Sequence, residues 1–156
     1  MNIHSTVIRS TVFFCLIQFT LFLLPLSGQK LSIASCQFPI SDNIAENAQW
    51  IMQEMREAHS KGATVCHFPE CALSGYPGVD MKSMENFQWD KLHSYTDSIT
   101  SLAQQLDMWV LLGSIHELSD TLKPLNSLYV INSSGEIIDR YDKRFCTTGD
   151  LKFFSA

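Results

Sequence analysis

The stretch Phe68-Pro69-Glu70-Cys71-Ala72-Leu73-Ser74-Gly75-Tyr76-Pro77 decides how this chain reads. Just ahead of it, Thr64 to Phe68 is a short apolar run of the kind that forms a buried strand. The run stops at Pro69, which has no N–H to give to a central ladder. Glu70 therefore stands just past the carboxyl end of a strand, where open α/β sheets place their chemistry. Gly75, Pro77 and Gly78 keep the chain that follows in a loop. Apolar neighbours around a carboxylate at such a place favour its protonated form, as a general acid or base can need. The alternative is a strand-end glutamate that caps the next helix or pairs with a lysine.

Upstream, Lys30 to Phe38 reads as a first strand, with Ser32, Ala34 and Ser35 small enough for close packing. Asn43-x-x-Glu46 has the form of a capping box. Ile44, Ala48, Ile51, Met52, Met55 and His59 recur at helical spacing, and the methionines read as core packing; Glu46, Gln53, Glu54 and Glu57 fall mostly outside that stripe. Gly62 suits the end of that helix. Strand, helix and strand at this spacing form a βαβ unit with a right-handed crossover.

Downstream, Val79 to Tyr95 is long and irregular. Either it walls a site, as long loops after a strand often do, or it packs as surface helix and loop. Ile99, Leu102, Ala103 and Leu106 predict a second amphipathic helix from near Asp97, and Met108 to Ile115 a third, central strand. His116 and Glu117 follow it and read as solvated loop before they read as chemistry. Asn126 to Asn132 and Gly135 to Tyr141 flank Ser133-Ser134-Gly135, a hairpin signal. The second strand of that hairpin ends in Arg140-Tyr141-Asp142-Lys143-Arg144-Phe145, a charged cluster with one lysine at its centre.

Taken together, Phe68-Pro69-Glu70 with its Gly75-Tyr76 turn, and Tyr141-Asp142-Lys143-Arg144, resemble the nitrilase superfamily of carbon–nitrogen hydrolases. The match also takes in Lys30 to Phe38, Val110 to Ser114, and Asn126-Ser127 leading to Gly135-Glu136-Ile137-Ile138. The resemblance implies an α/β fold, an α-β-β-α sandwich of the nitrilase type truncated to about half. It implies a Glu-Lys-Cys triad with Glu70 as general base and Lys143 as the lysine that stabilises developing charge. An acidic residue near Glu117 often supports the pocket in this family. The family's nucleophilic cysteine lies on a later strand, so residues 30–156 are expected to be the N-terminal portion of the domain, without its nucleophile and without turnover. The substrate implied is a small amide or nitrile, no cofactor is implied, and a homo-oligomer is an expected partner. Two other functions stay open beside hydrolysis. One is a non-catalytic binding or assembly protein on this fold, and the other is a relative that passes the acyl group to an amine.

Composition bounds the reading. At 156 residues, 46% hydrophobic and 17% charged, the chain can bury a core. Its net charge of −5 with no run of Lys or Arg argues against nucleic-acid binding. Residues 1–29 carry one charged side chain, Arg9, and a nearly apolar core from Thr11 to Leu26, with Pro25 near its end and Ser27 and Gly28 after it. That is the form of a signal peptide, with a hydrophobic anchor as the alternative, so the chain is expected to be secreted or periplasmic; a cytoplasmic protein with a misplaced start codon is the remaining option. Of five cysteines, Cys15 lies in this leader, and Cys36 and Cys66 read as small core residues. Cys146, three residues after Lys143, is the candidate nucleophile to weigh against the family's pattern, since a nearby ammonium favours a thiolate. Cys71, next to Glu70, is disfavoured because neighbouring side chains point apart. His67 reads as a satisfied core histidine. No HExxH, paired CxxC or phosphate loop supports a metal site or nucleotide chemistry.

Overall fold

The computed structural model describes residues 30–155 apart from Asp120; the leader and Cys15 lie outside the described residues. Five strands form one sheet in the order β1-β2-β3-β4-β5. They are β1 (Ile33–Ser35), β2 (Val65–His67), β3 (Trp109–His116), β4 (Leu125–Ile131) and β5 (Ile137–Asp142). The first three run parallel and the last two form the expected antiparallel hairpin on β3. Helix α1 (Ile44–Ser60) joins β1 to β2, and α2 (Trp89–Gln105) joins β2 to β3. Two successive crossovers join the parallel strands, for which a right-handed path is the rule, and the two helices touch each other.

The sequence accounts for most of these boundaries. Asn43 caps α1, its Oδ1 accepting from Ala45 N at 3.1 Å and Glu46 N at 3.4 Å. The box is only half built, because Glu46 turns to Ser41 Oγ instead of back to Asn43. Ile44, Ala48, Ile51, Met55 and Ala58 are the buried stripe of α1, while His59, placed on that stripe by spacing, is exposed and Ala58 takes its role. Helix α2 begins at Trp89, not near Asp97. Its first two turns look irregular because Gln88 caps without a side-chain hydrogen bond and Asp90, Lys91, His93 and Ser94 interrupt the apolar pattern. Leu92, Ile99, Leu102 and Ala103 nonetheless share one buried face.

Strands β1 and β2 are shorter than the apolar runs that contain them. Among the described residues, helices clad one face of the sheet. Cys66, Val110 and Leu112 are wholly buried under the helices with Phe68, Ile51 and Met55. Their alternate neighbours point the other way: Ile33, His67 and Trp109 are exposed. His67 is therefore not the core histidine expected from its strand. It stands on the open face, because side chains alternate with period two. Cys36 and Cys66 are buried, as their small apolar character suggests.

Candidate active site

The turn after β2 is built to present Glu70. Phe68 N donates to Leu111 O at 2.9 Å, and Leu73 N to Gly113 O at 3.1 Å, so residues 69–72 cross directly over β3. The crossing is possible only above a glycine: a Cβ on Gly113 would lie 1.9 Å from Pro69 O. Cys71 adopts a left-handed φ of 54° and goes fully into the core, which sends the preceding Glu70 outward. From beneath, the buried Asn47 of α1 fixes this turn, donating to Leu73 O at 3.2 Å and to Ser41 O at 2.8 Å.

Two neighbouring strands deliver the partners of Glu70. Asn126 of β4 donates its amide N–H to Glu70 Oε1. One further rung of the hairpin, Lys143 N to Asn126 O at 2.9 Å, places Lys143 beside that asparagine. Lys143 Nζ then meets the same Glu70 Oε1 at 2.9 Å. Both donors use one carboxylate oxygen, and Oε2 accepts no hydrogen bond among the described residues. A cavity of about 290 Å³ opens here, lined by Glu70, Lys143, Asn126, His67, Gly113 and Tyr141, among others. Glu70 is not set among apolar groups as its sequence neighbours suggest. Its side chain is 45% exposed and faces an ammonium and an amide.

Asp150 was not singled out by the sequence, yet it anchors the lysine. It is 3% exposed, and its Oδ2 lies 3.0 Å from Lys143 Nζ. The Tyr76 hydroxyl donates to its Oδ1, and Thr147 N to Oδ2 at 2.7 Å. The Tyr76 hydrogen bond above all holds the Asp150 carboxyl well below the usual carboxylate range, against the opposing effect of its burial. The hydrogen bond to Glu70, with help from Asp150, raises the Lys143 ammonium above its ordinary value. Burial, with the Asp150 hydrogen bond second, pushes the Tyr76 phenol up to about 12. The ammonium thus sits between two carboxylates and stays charged. The local signal for Asp150 was the Thr147-Thr148-Gly149-Asp150 turn, in which Asp150 N donates to Thr147 Oγ1 at 3.2 Å. Nothing in that turn reveals that Lys143 lies against it.

The remaining candidates separate from this site. None of the four described cysteines hydrogen-bonds the Glu70 carboxylate or the Lys143 ammonium. Cys36, Cys66 and Cys71 are buried, and burial pushes the Cys71 thiol up to about 12. Cys146 Sγ turns to the carbonyl oxygens of Lys143 at 3.6 Å and Ser155 at 3.9 Å. His116 is not in a solvated loop. It ends β3 and shares a hydrogen bond of 2.9 Å with the Tyr129 hydroxyl, and burial lowers its pKa. Glu117 faces His93 of α2 at 3.7 Å and does not line the Glu70 cavity.

The site is thus a strand-end carboxylate paired with a lysine from the adjoining hairpin, on an α/β sheet. The family model for carbon-nitrogen hydrolase matches residues 32–148. The chain belongs to the carbon-nitrogen hydrolase family. It is similar to deaminated glutathione amidase from Rattus norvegicus, 26% identical over 117 residues that make up 71% of this chain and 35% of that protein. N-carbamoylputrescine amidase from Oryza sativa subsp. japonica is 26% identical over 126 residues, 79% of this chain and 41% of that one. Among solved structures, an amidase from Nesterenkonia sp. superposes with a TM-score of 0.72 at 15% identity, covering 85% of this chain and 50% of the other. The shared fold is that of the nitrilase type, of which this chain spans about half the length.

Proposed function

We propose that this chain supplies the general base and the charge-stabilising lysine of an amide hydrolase. The observation that carries the reading is the contact of Lys143 Nζ with Glu70 Oε1 at 2.9 Å, beside an open cavity at the strand ends. In this reading Glu70 takes a proton from a cysteine thiol through its unoccupied Oε2. The thiolate attacks the amide carbon, and Lys143 stabilises the charge that develops on the carbonyl oxygen. Protonated Glu70 returns its proton to the departing ammonia or amine, then takes one from the water that opens the thioester and gives it back to the cysteine sulfur. Asp150 and Tyr76 hold the lysine in place. Amides are favoured over nitriles because both curated relatives are named amidases. Cys146 is not the nucleophile in this reading, since its sulfur turns to backbone oxygens. The apolar core of residues 11–26 supports export as the location.

The test is ammonia release from a panel of small amides and nitriles, with wild-type protein and the Glu70→Gln and Cys146→Ala variants. In this reading the nucleophilic cysteine lies on a later strand of the family's domain, so this chain alone is expected to release no ammonia. A form of the domain that carries that strand is expected to release it, with activity lost in Glu70→Gln and kept in Cys146→Ala. Turnover abolished by Cys146→Ala would move the nucleophile to that residue. A second, non-catalytic reading rests on the open face of the sheet, where Ile33, Trp109 and Tyr141 are 59%, 40% and 55% exposed. Apolar surface of that kind is commonly covered by association. Sedimentation velocity tests it: a monomer at micromolar concentration would remove its support.

A further inference from the structure

The β4–β5 turn reads Ile131-Asn132-Ser133-Ser134-Gly135-Glu136. Within it, Asn132 is followed two residues later by a serine, with no proline between, the pattern that accepts an N-linked sugar in exported chains. None of the other five asparagines has a Ser or Thr at that spacing; Asn126, for instance, is followed by Ser127 and Leu128. A pattern this short also occurs in buried strands, where a sugar has no room. Here it lies at the surface: Asn132 is partly exposed, and Ser134 and Glu136 are exposed. The turn is also remote from the Glu70 site. Six residues along β4 separate Asn132 from Asn126, about 20 Å in an extended strand. Among the described residues, none of the turn lines the Glu70 cavity.

One side of the turn is seated on α2. Gly135 has a left-handed φ of 78°, and a Cβ there would lie 2.6 Å from Thr100 O. The Asn132 side chain is used on the outer side. Its Oδ1 accepts from Ser134 N at 3.0 Å and from Glu136 N at 2.9 Å. Its Nδ2 gives one hydrogen to Glu136 Oε2 at 2.8 Å, and the other makes no hydrogen bond among the described residues. We propose that Asn132 is a glycosylation site and that the exported chain carries an N-linked oligosaccharide on this turn. The inference rests on the export reading of residues 1–29 and is independent of the amidase reading. In the transfer, Nδ2 bonds to the anomeric carbon of an oligosaccharide held on a lipid diphosphate. The bond from that carbon to the diphosphate oxygen breaks, the diphosphate leaves with the electron pair, and one Nδ2 proton goes to a base of the transferring enzyme. A glycosylated amide keeps one N–H, which leaves one for Glu136. Ile137 and Ile138, exposed beside the turn, are the apolar surface such a sugar would shield.

The experiment expresses the full chain, residues 1–29 included, in cultured animal cells. Protein recovered from cells and medium is compared before and after peptide N-glycosidase, by gel mobility and by peptide mass. Wild type is expected to lose the mass of one oligosaccharide on digestion and to show aspartate in place of Asn132 in the peptide that spans the turn. That loss should vanish in Asn132→Gln and in Ser134→Ala, and remain in Ser133→Ala. Ser134→Ala removes the acceptor pattern while leaving Asn132 and the Ser134 N–H it binds, so the test does not depend on whether Asn132→Gln folds. Wild type whose mass is unchanged by digestion overturns the proposal, as does a sugar that persists in Ser134→Ala. A second set carries an established secretion signal in place of residues 1–29. Sugar found on that set alone overturns export by the native leader, and the proposal with it. The amidase reading is judged separately, by the Glu70-dependent release of ammonia.

Discussion

Lys143 Nζ lies 2.9 Å from Glu70 Oε1 although 73 residues separate them in the chain. The contact is made by three supports that meet: the Pro69 turn across β3, Asn126 on β4, and the last rung of the β4–β5 hairpin. Each can be removed separately, and each removal has a different signature.

The lysine itself is the most direct target. In a form of the protein that turns over amide, Lys143→Met is expected to lower kcat by about 10²- to 10³-fold, the usual loss for one charge-stabilising donor. KM should change much less, because the charge it meets develops only in the transition state. Initial rates over a range of amide concentrations check this; an unchanged kcat would remove Lys143 from the mechanism.

Gly113 carries the turn above it. Gly113→Ala would place a methyl 1.9 Å from Pro69 O, a backbone atom that cannot swing aside. The expected cost is about 3 kcal/mol of stability, at the upper end for overpacking, with loss of the Glu70 geometry. Urea denaturation reads the first, and the second follows as weaker amide binding.

Asn47 acts on the same turn from the helix layer. Its side chain is wholly buried and satisfies the backbone of Ser41 and Leu73. Asn47→Leu keeps the volume and strands those groups, at an expected cost of about 2 kcal/mol. Chemical denaturation measures it, and faster amide exchange at Ser41 N would locate it.

The Asp150 network fixes the pH response. The folded Asp150 carboxyl is held below its ordinary value. Its contribution is therefore full above the unfolded value of about 3.9, and is lost as pH falls through the folded one. The Lys143 and Tyr76 shifts are upward, so their contribution is full below about pH 10. For Tyr76 it is lost as pH rises through about 12. Asp150→Asn should thus melt lower than wild type at pH 7, and the difference should narrow below about pH 4. Thermal melts across that range give the answer, and a difference that does not depend on pH would contradict the assignment.

Thiol labelling separates the cysteines. Cys36, Cys66 and Cys71 are buried, and Cys146 is partly exposed. Native protein treated with a soluble disulfide reagent should label Cys146 well ahead of the other three, as peptide mapping would show. Earlier labelling of Cys71 would mean that the Glu70 turn opens readily.

Much of this was readable from residue order. The Pro69 stop, the Gly62 helix end and the Ser133-Ser134-Gly135 hairpin are local signals, set by backbone geometry within a few residues. Glu70 and Lys143 could be named because each follows a strand and the two motifs together resemble the family's pattern. The first turns of α2 escaped notice because Leu92 is the one buried residue there before Ile99 and Gln88 makes no side-chain cap.

What the sequence by itself determined was the set of elements, the two charged groups and the family pattern they follow. What only the tertiary structure decided was which face each side chain meets. His67 left the core because the helices clad one side of the sheet, and Glu70 met an ammonium and an amide instead of apolar walls. Asp150 joined the site from a turn that gives no hint of Lys143. Such contacts depend on strand pairing and crossover hand, which act over tens of residues, and local pattern reports only the residues a few positions away.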